Sequence, residues 1–243
     1  MQSLKIVAKK GFFPGLDLHT RCRYRFLPTL FRTGQLEVLD AGCGNGALSY
    51  AAYRQGSRVL GVSFLQREID DTNALFEYMG VPRDGIQLRL MNIYELRSLG
   101  QKFDQIICSE TLEHIRRDKE VVQMFADLLN PGGRLILCCP HALHREHNLG
   151  RTDEPETGYH VRDGYTLDSY QALLEPAGLR IAQRVGLGSP LLVWLDNQLR
   201  RARHRVGDFW AFPMFLLMLP LTWLDYTDPK IPFSLVVVAE KSA

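Results

Sequence analysis

The sequence predicts an α/β protein, in which a mostly parallel β-sheet carries α-helices on both faces. Two observations support this class. From about residue 36, short β-branched and apolar runs alternate with amphipathic segments of about 10–15 residues, the spacing of βαβ units. Several of these segments stop at Gly56, Gly80 or Pro131, as helices do before a turn. The 243-residue chain is long enough for one domain with a sizeable core.

Seven strands and four regular helices are predicted in chain order. The strands cover residues 36–42, 58–64, 86–92, 103–110, 134–140, 179–188 and 233–241. The helices cover residues 47–56, 66–80, 118–130 and 166–178. The early strands are short, apolar runs, which is typical of parallel strands buried on both faces. A loop-rich stretch at 141–164 and a long segment before the last strand interrupt the alternation.

Overall composition excludes few functions. The net charge of +2 is too small to indicate nucleic-acid binding, and we expect no nucleic-acid partner. The five cysteines lack zinc-type spacing, so we interpret them as reduced thiols of a cytosolic protein. The N-terminal residues contain no long apolar segment, and no secretory signal is expected.

A glycine-rich loop is the strongest chemical motif. In VLDAGCGNGALS (38–49), Gly42, Gly44 and Gly46 follow a predicted strand and open a helix, so that a ligand can approach the backbone and the helix N-terminus. The loop also fits a loose dinucleotide fingerprint. Asp40 would repel a pyrophosphate but attract a cationic ligand. An oxidoreductase or a sugar-nucleotide enzyme with a similar sheet remains the alternative.

Two further motifs follow in order: FDQIICSETLEHI (103–115) and LLNPGGRLIL (128–137). With LDAGCGNG, they resemble the class I S-adenosylmethionine-dependent methyltransferases over about residues 36–180 and the last strand. The resemblance implies a Rossmann-like, seven-stranded, mostly parallel sheet, with S-adenosylmethionine as the cofactor. It also implies that Gly42, Gly44 and Gly46 line the methionine and ribose part of the cofactor, with Asp40 near its amino group.

The end of the second strand departs from the family pattern. Most members carry an acidic residue there for the ribose hydroxyls, whereas this chain has Ser63. The segment GVSFLQRE looks like the form found in cyclopropane-fatty-acid-type relatives, in which a hydroxyl residue and a Gln further along share the ribose. Ser63 would then act with Gln66 or Glu68. Alternatively, Ser63 only ends the strand and water holds the ribose.

The ends of the third and fourth strands complete the implied cofactor site. Asn92 stands where the family often has Asp, and its amide oxygen can accept from the adenine amine. Ile93 and Phe64 would sandwich the adenine, although both also fit an ordinary core. By the same resemblance, Ser109 and Glu110 would face the methyl group.

A metal site is a second possibility at the fourth strand. Glu110, Glu113 and His114 of ETLEH match a pattern in quinone-biosynthesis O-methyltransferases, where these groups bind a divalent metal. Such an ion would polarise a phenol oxygen. In much of the family, however, LEH only positions the following loop, and we predict no metal.

A general base is expected on the loops beyond the sheet. The segment GYHVRDGYT (158–166) resembles methyltransferases of bacterial sugar and glycolipid clusters, where it precedes a helix beside the substrate pocket. His160 is the first candidate for the base and His114 the second, since imidazole suits proton removal near neutral pH. Arg162 would contact an anion or a hydroxyl of the acceptor.

The run FWAFPMFLLMLPLTWL (209–224) is the most apolar segment, and it follows an arginine cluster at 200–205. As a helix it would span about 24 Å, short of the roughly 30 Å hydrocarbon core, and Pro213 and Pro220 interrupt it. A complete crossing would also separate the last strand from its sheet. The run therefore either lies at a membrane interface, with Trp210 and Trp223 at headgroup level, or packs over the pocket or a second subunit.

We interpret residues 1–243 as one methyltransferase domain. Its predicted parts are an N-terminal helical segment or lid (1–35), a cofactor-binding core (36–140), a substrate-side loop, helix and strand (141–186), an apolar and basic helical insertion (187–232) and the last strand (233–243).

The expected activity is methyl transfer to oxygen of a small or lipid-linked, apolar or glycolipid-like acceptor. The alternatives are a metal-assisted phenol or quinone O-methyltransferase and a non-catalytic S-adenosylmethionine-binding accessory protein. We expect a cytoplasmic protein, with peripheral contact to the inner face of a membrane through residues 190–226.

Overall fold

A seven-stranded sheet forms the centre of the computed structural model, which describes residues 11–146, 156 and 158–242. The strands are β1 (Glu37–Ala41), β2 (Arg58–Ser63), β3 (Ile86–Leu90), β4 (Phe103–Ser109), β5 (Leu129–Pro140), β6 (Leu179–Leu187) and β7 (Ser234–Lys241). The α-helices are α1 (Leu18–Phe26), α2 (Ala47–Arg54), α3 (Gln66–Tyr78), α4 (Asp118–Leu128), α5 (Leu167–Leu174) and α6 (Pro190–Met218).

The strand order is β3-β2-β1-β4-β5-β7-β6. Strands β1 to β5 are parallel, whereas β7 runs antiparallel to both of its neighbours, β5 and β6. The predicted Rossmann-like, mostly parallel sheet is thus confirmed. The chain winds to one side of β1 through β2 and to the other through β4, and a crevice opens at the carboxyl ends of the strands where the winding reverses.

The middle strands are buried on both faces, which explains their continuous apolar sequences. Leu39 of β1 pairs with Leu60 of β2 and with Ile106 of β4, and all three side chains are buried. The edge strand β3 is more exposed, since β2 is its partner on one side and its other side is open.

The bounds of β5 differ from the prediction. Helix α4 ends at Leu128, and β5 begins at Leu129 rather than at residue 134. Leu129 pairs with Phe103 before an irregularity in the register, so the expected turn through Pro131 and Gly132 is a bulge inside the ladder. Pro131 and Gly132 predict a strand boundary, but pairing with β4 extends through them.

Helix α1 and the insertion form a core of their own beside the sheet. Leu18 and Cys22 of α1 pack with Leu195, Phe215 and Met218 of α6. The N-terminal segment is helical at 18–30. Residues 1–10 of that segment and 147–155 of the substrate-side loop lie outside the described part.

Helix α6 consists of two helical halves. Ser189 caps its start, accepting from the Leu192 amide, and Pro190 occupies the first turn. Gly207, with φ 81° and ψ 165°, breaks the helix and lets the second half, which contains Pro213, set off in a new direction. Among the described residues, no helix is long and apolar enough to span a bilayer.

Candidate active site

A cleft of about 300 Å³ lies at the carboxyl ends of β1, β2, β3 and β4. This is where ligands bind in open α/β sheets. The cleft is lined by Gly42, Gly44, Val62, Ser63, Phe64, Leu65, Glu68, Met91, Asn92, Ile93, Tyr94, Glu110, Thr111, His114, Ile115, Glu156 and Gly158.

The three glycines of the loop after β1 do different work. A Cβ on Gly42 would lie 2.1 Å from Oγ1 of Thr111, so this glycine lets the loop lie against the end of β4. Gly44 lines the cleft, and a Cβ there would meet nothing within 4 Å. Gly46 packs against Phe76 of α3 and faces away from the cleft. Only two of the three predicted glycines therefore line the cleft.

Asp40 lies behind the loop rather than in the cleft wall. Its carboxylate accepts a hydrogen bond from Ser49 Oγ at 2.6 Å, and its side chain is buried. Burial raises the pKa of Asp40 to about 6, although the bond from Ser49 favours the charged form. A cation arriving in the cleft would stabilise that charge.

Ser63 forms a pair with Glu68 at the end of β2. The Ser63 hydroxyl donates to Glu68 Oε2 at 2.5 Å and accepts from the amide of Leu65, and both Ser63 and Glu68 line the cleft. Glu68, in the first turn of α3, thus brings a carboxylate to the position where the strand itself lacks one. Gln66 was the other candidate, but its side chain donates to Asp70 at 2.7 Å and does not line the cleft.

The predicted adenine residues are all at the cleft. Asn92 Oδ1 accepts from the amide of Tyr94 and so caps the following helical turn, which leaves one lone pair for a ligand. Ile93 is almost fully buried beside it, whereas Phe64 is 57% exposed at the rim. Phe64 is therefore a wall residue rather than core.

The end of β4 has a strained backbone. Glu110 lines the cleft with φ 52°, a conformation that non-glycine residues rarely adopt. Its carboxylate lies 3.5 Å from the guanidinium of Arg23 on α1 and 3.4 Å from Ser234 Oγ. Ser109 does not line the cleft; its carbonyl accepts from Thr111 Oγ1. Arg23 could not be predicted, because nothing in the sequence indicates that α1 reaches β4.

His114 and His160 lie together at the outer end of the cleft. Their ring centroids are 4.7 Å apart, in an edge-to-face arrangement. His114 lines the cleft, and its Nδ1 lies 3.0 Å from the Tyr159 carbonyl. His160 is not a lining residue, and its Nδ1 is buried with no hydrogen-bond partner among the described residues. Burial lowers the pKa of His160.

Glu113 completes a group that could hold a metal ion. One ligand atom from each of Glu113, His114 and His160 lies within 4.8 Å of the others. Glu113 is fully buried, and neither carboxylate oxygen has a hydrogen-bond partner among the described residues. Burial, together with the nearby Glu110, raises the pKa of Glu113 well above its usual range. Glu110, expected in this group, faces Arg23 instead.

Arg162 was expected to contact the acceptor, but its side chain does not line the cleft. Its guanidinium pairs with Asp118 and donates to the Ile115 carbonyl at 2.6 Å, so it fixes the loop after β4. Two other lining residues were missed. Tyr94 donates to Glu156 at 2.7 Å, which ties the third and fourth strand ends to the substrate-side loop. No motif marks this pair.

This fold, with a glycine loop after β1 and carboxylates at the ends of β2 and β4, defines the methyltransferase type of Rossmann-like enzyme. A family model described as a methyltransferase domain matches residues 18–184, more than half of the chain. The chain therefore belongs to this methyltransferase family and is a class I S-adenosylmethionine-dependent methyltransferase.

Relatives and solved structures agree with this assignment. A ubiquinone biosynthesis O-methyltransferase of Coxiella burnetii is 36% identical over 126 residues, covering 52% of this chain and 53% of the relative. One from Proteus mirabilis is 26% identical over 171 residues, covering 70% and 63%. The match thus spans less than two thirds of these relatives. Magnesium protoporphyrin IX methyltransferase from Synechocystis with bound SAM shares the fold: the TM-score is 0.55 at 18% identity, with 90% of this chain and 76% of that chain covered.

Proposed function

We propose that the enzyme transfers the methyl group to an oxygen of a small or lipid-linked acceptor bound beside His114. The cofactor would lie along Gly42 and Gly44, its ribose on Glu68 and Ser63. The fit rests on charge and space. Glu68 brings a carboxylate to the cleft, and Glu110 brings a second one that it shares with Arg23; both suit a ligand carrying a sulfonium and an ammonium. Because Gly44 has no side chain, the ligand can lie directly against the main chain of the loop.

The hydrogen bond between His114 and Tyr159 is the observation that favours methyl transfer to an oxygen atom. A carbonyl oxygen accepts only, so Nδ1 of His114 holds the proton in its bond to Tyr159 and the lone pair of the neutral ring is on Nε2. That nitrogen lies 3.9 Å from Oε1 of the buried Glu113, and a hydroxyl bound beside it would pass its proton to Nε2 as its oxygen attacks the methyl group. The sulfonium methyl is already activated, so the protein chiefly aligns the reactants and excludes water. The names of the two relatives also support an oxygen acceptor.

A metal-assisted O-methyltransferase is the second candidate. The proximity of Glu113, His114 and His160 favours it, because a carboxylate and two imidazoles suit a divalent ion. An ion there would lower the pKa of a phenol oxygen when bound. In this second mechanism Glu113, His114 and His160 would hold the ion, and a histidine base would not be needed for the acceptor oxygen.

Transfer of a labelled methyl group from S-adenosylmethionine tests the proposal. The acceptors are a lipid extract, a catechol and a set of primary amines, each with and without EDTA. We expect label in a hydroxyl-bearing product and a loss of about 10²- to 10⁴-fold in kcat for His114→Gln, with unchanged S-adenosylhomocysteine affinity. His141→Gln, half-buried and outside the cleft, is the matched control.

Each outcome separates the candidates. Activity that resists EDTA removes the metal-assisted mechanism. Activity that EDTA abolishes and Mg²⁺ or Zn²⁺ restores, together with an equal loss in His160→Gln, supports it. Label that enters the amines alone contradicts oxygen transfer in both forms.

A further inference from the structure

The second half of α6 is apolar on two opposite faces. Phe215 and Met218 pack inward against Leu18 of α1. On the other side, Trp210 and Leu217 are 73% and 76% exposed. A helix that is hydrophobic all round is normally covered all round. The outward face of this half-helix therefore needs a partner.

The turn that follows α6 extends the same kind of surface. Trp223 and Leu224 are 74% and 66% exposed, and Phe209 at the start of the half-helix is 79% exposed. Residues 209–224 include no charged side chain. Scattered exposed apolar residues need no explanation, but three large aromatics within one uncharged stretch do. We call the exposed side chains of 209–224 the apolar face.

Exposed cations precede the apolar face along the chain, on the first half of α6. Trp194, Arg201 and Arg205 are spaced by seven and four residues, which places them on one stripe of the helix. All three are exposed. Arg201 and Arg205 form no ion pair with any of the described residues, whereas Arg200 and Arg203 are paired with Asp196 and Asp208.

We propose that the apolar face and this stripe together bind the surface of an anionic lipid bilayer. Leu217 and its exposed neighbours would enter the boundary between headgroups and acyl chains, and Trp210 and Trp223 would lie at headgroup level. Arg201 and Arg205 would contact the lipid phosphates. Helix α6 would lie in the plane of the membrane, since no described helix is long and apolar enough to cross it and this one is interrupted at Gly207. The inference does not depend on which acceptor the cleft takes.

Charge favours a bilayer over a second copy of the chain. In a two-fold symmetric dimer the same surface meets itself, so the stripe would have to find acidic partners on an identical surface. Helix α6 contains two acids: Asp196 is buried, and Asp208 is already paired with Arg203. An anionic membrane supplies the missing negative charge without either residue.

Vesicle flotation tests the proposal. The probes are vesicles of phosphatidylcholine alone and of phosphatidylcholine mixed with phosphatidylglycerol. We expect the wild type to float with the anionic vesicles and to remain below with the neutral ones. Trp210→Gln with Leu217→Gln should weaken binding by about tenfold or more, since two large apolar side chains no longer leave water. Arg201→Gln with Arg205→Gln should weaken it about tenfold and remove its dependence on salt.

Matched controls lie on the far side of the sheet. Tyr78→Gln on α3 removes an exposed aromatic, and Arg83→Gln with Arg89→Gln removes two exposed cations near β3. Both should float as the wild type does. Binding of S-adenosylhomocysteine, measured by calorimetry, reports that each variant is folded. Its absence in the wild type would contradict the cofactor assignment and leave the flotation result standing.

Three outcomes would overturn the proposal. The wild type could stay below with both kinds of vesicle, or the Trp210 and Leu217 variant could float unchanged. Light scattering could also show a dimer that this variant converts to a monomer, without vesicle binding. The last result would assign the apolar face to a second copy.

Discussion

The cleft and the insertion present opposite charge to their surroundings. The cleft has Glu68 and Glu110 in its wall and Asp40 behind it, whereas the exposed stripe of α6 has Arg201 and Arg205. One region suits a small cation and the other an extended anionic surface. The two regions are joined by α1, because Arg23 faces Glu110 and Arg25 lies under the ring of Trp223. The last turn of α1, which carries both arginines, therefore contacts both regions.

They also differ in how tightly they are built. The glycine loop depends on contacts at the limit of packing, so single atoms matter there. The insertion depends on apolar area, which many side chains supply. Substitutions should therefore have large effects in the loop and small ones in the insertion.

The largest effect is expected for Gly42→Ala. The added Cβ would overlap Thr111, and φ 86° is unfavourable for alanine. Together these should lower the free energy of unfolding by about 4 kcal/mol and weaken S-adenosylhomocysteine binding. Chemical denaturation and calorimetry measure both. Gly100→Ala, which also has positive φ but open space around it, should lose only about 1 kcal/mol; an equal loss would show that backbone strain, and not the approach to Thr111, limits the loop.

Asp40→Asn should remove the loss of folding stability that the buried carboxylate causes as the pH rises. Burial raises the pKa of Asp40 from 3.8 to about 6, so the folded state holds the proton more tightly than the unfolded chain. The resulting stability is present below about pH 4 and is lost as the pH rises through about 6, a change of about 3 kcal/mol at 1.36 kcal/mol per pH unit. Relative to the variant, the cofactor-free wild type should therefore become less stable across that window. A constant difference in denaturation midpoint from pH 4 to 7 would contradict this.

Glu68→Gln should weaken S-adenosylhomocysteine binding by about tenfold. The variant keeps an acceptor for Ser63 but loses the charge that makes hydrogen bonds to the ribose strong. Gln66→Ala is the control, because its side chain faces Asp70 and should leave the affinity unchanged. If the two variants are equally weak, Gln66 shares the ribose after all.

The smallest effect is expected in the insertion. Arg25→Gln removes a cation–π contact with Trp223 at 4.8 Å and a hydrogen bond to the Thr222 carbonyl. A loss of about 1 kcal/mol in unfolding free energy is expected, with cofactor affinity unchanged. A large loss of affinity would mean that the insertion and the cleft are not the separate regions described above.

The sequence predicted the sheet well because its strands are buried on both faces. Continuous apolar runs such as RLILCCP are forced by that burial, and their order along the chain follows from βαβ spacing. The predicted start of β5 was wrong. Leu129 pairs with Phe103 across a bulge, and such a tertiary contact cannot be inferred from the local Pro and Gly residues. Predictions for residues 1–10 and 147–155, which lie outside the described part of the chain, stay predictions.

The residues of the cleft could be predicted where a sequence motif fixes the backbone. They were harder to predict where tertiary packing decides which partner a side chain contacts. Gly42, Gly44, Asn92 and Glu110 follow from motifs. The choice of Glu68 over Gln66 depends on which face of α3 meets Ser63. Tyr94 lines the cleft and Arg23 pairs with Glu110 of its wall, and both contacts depend on packing between distant segments. In the apolar run, composition could not show that Phe215 is buried and Leu217 exposed.

The antiparallel pairing of β6 and β7 has an evolutionary consequence. Leu187 pairs directly with Ser234, so the insertion starts and ends on one rung of the ladder. In topological terms it is the loop of a hairpin, which a tight turn could replace in a related protein. Lengthening such a loop costs only about 0.6 kcal/mol for each doubling. Selection is therefore free to exchange this module, with the exposed apolar residues that it carries, while the sheet and its cleft stay the same.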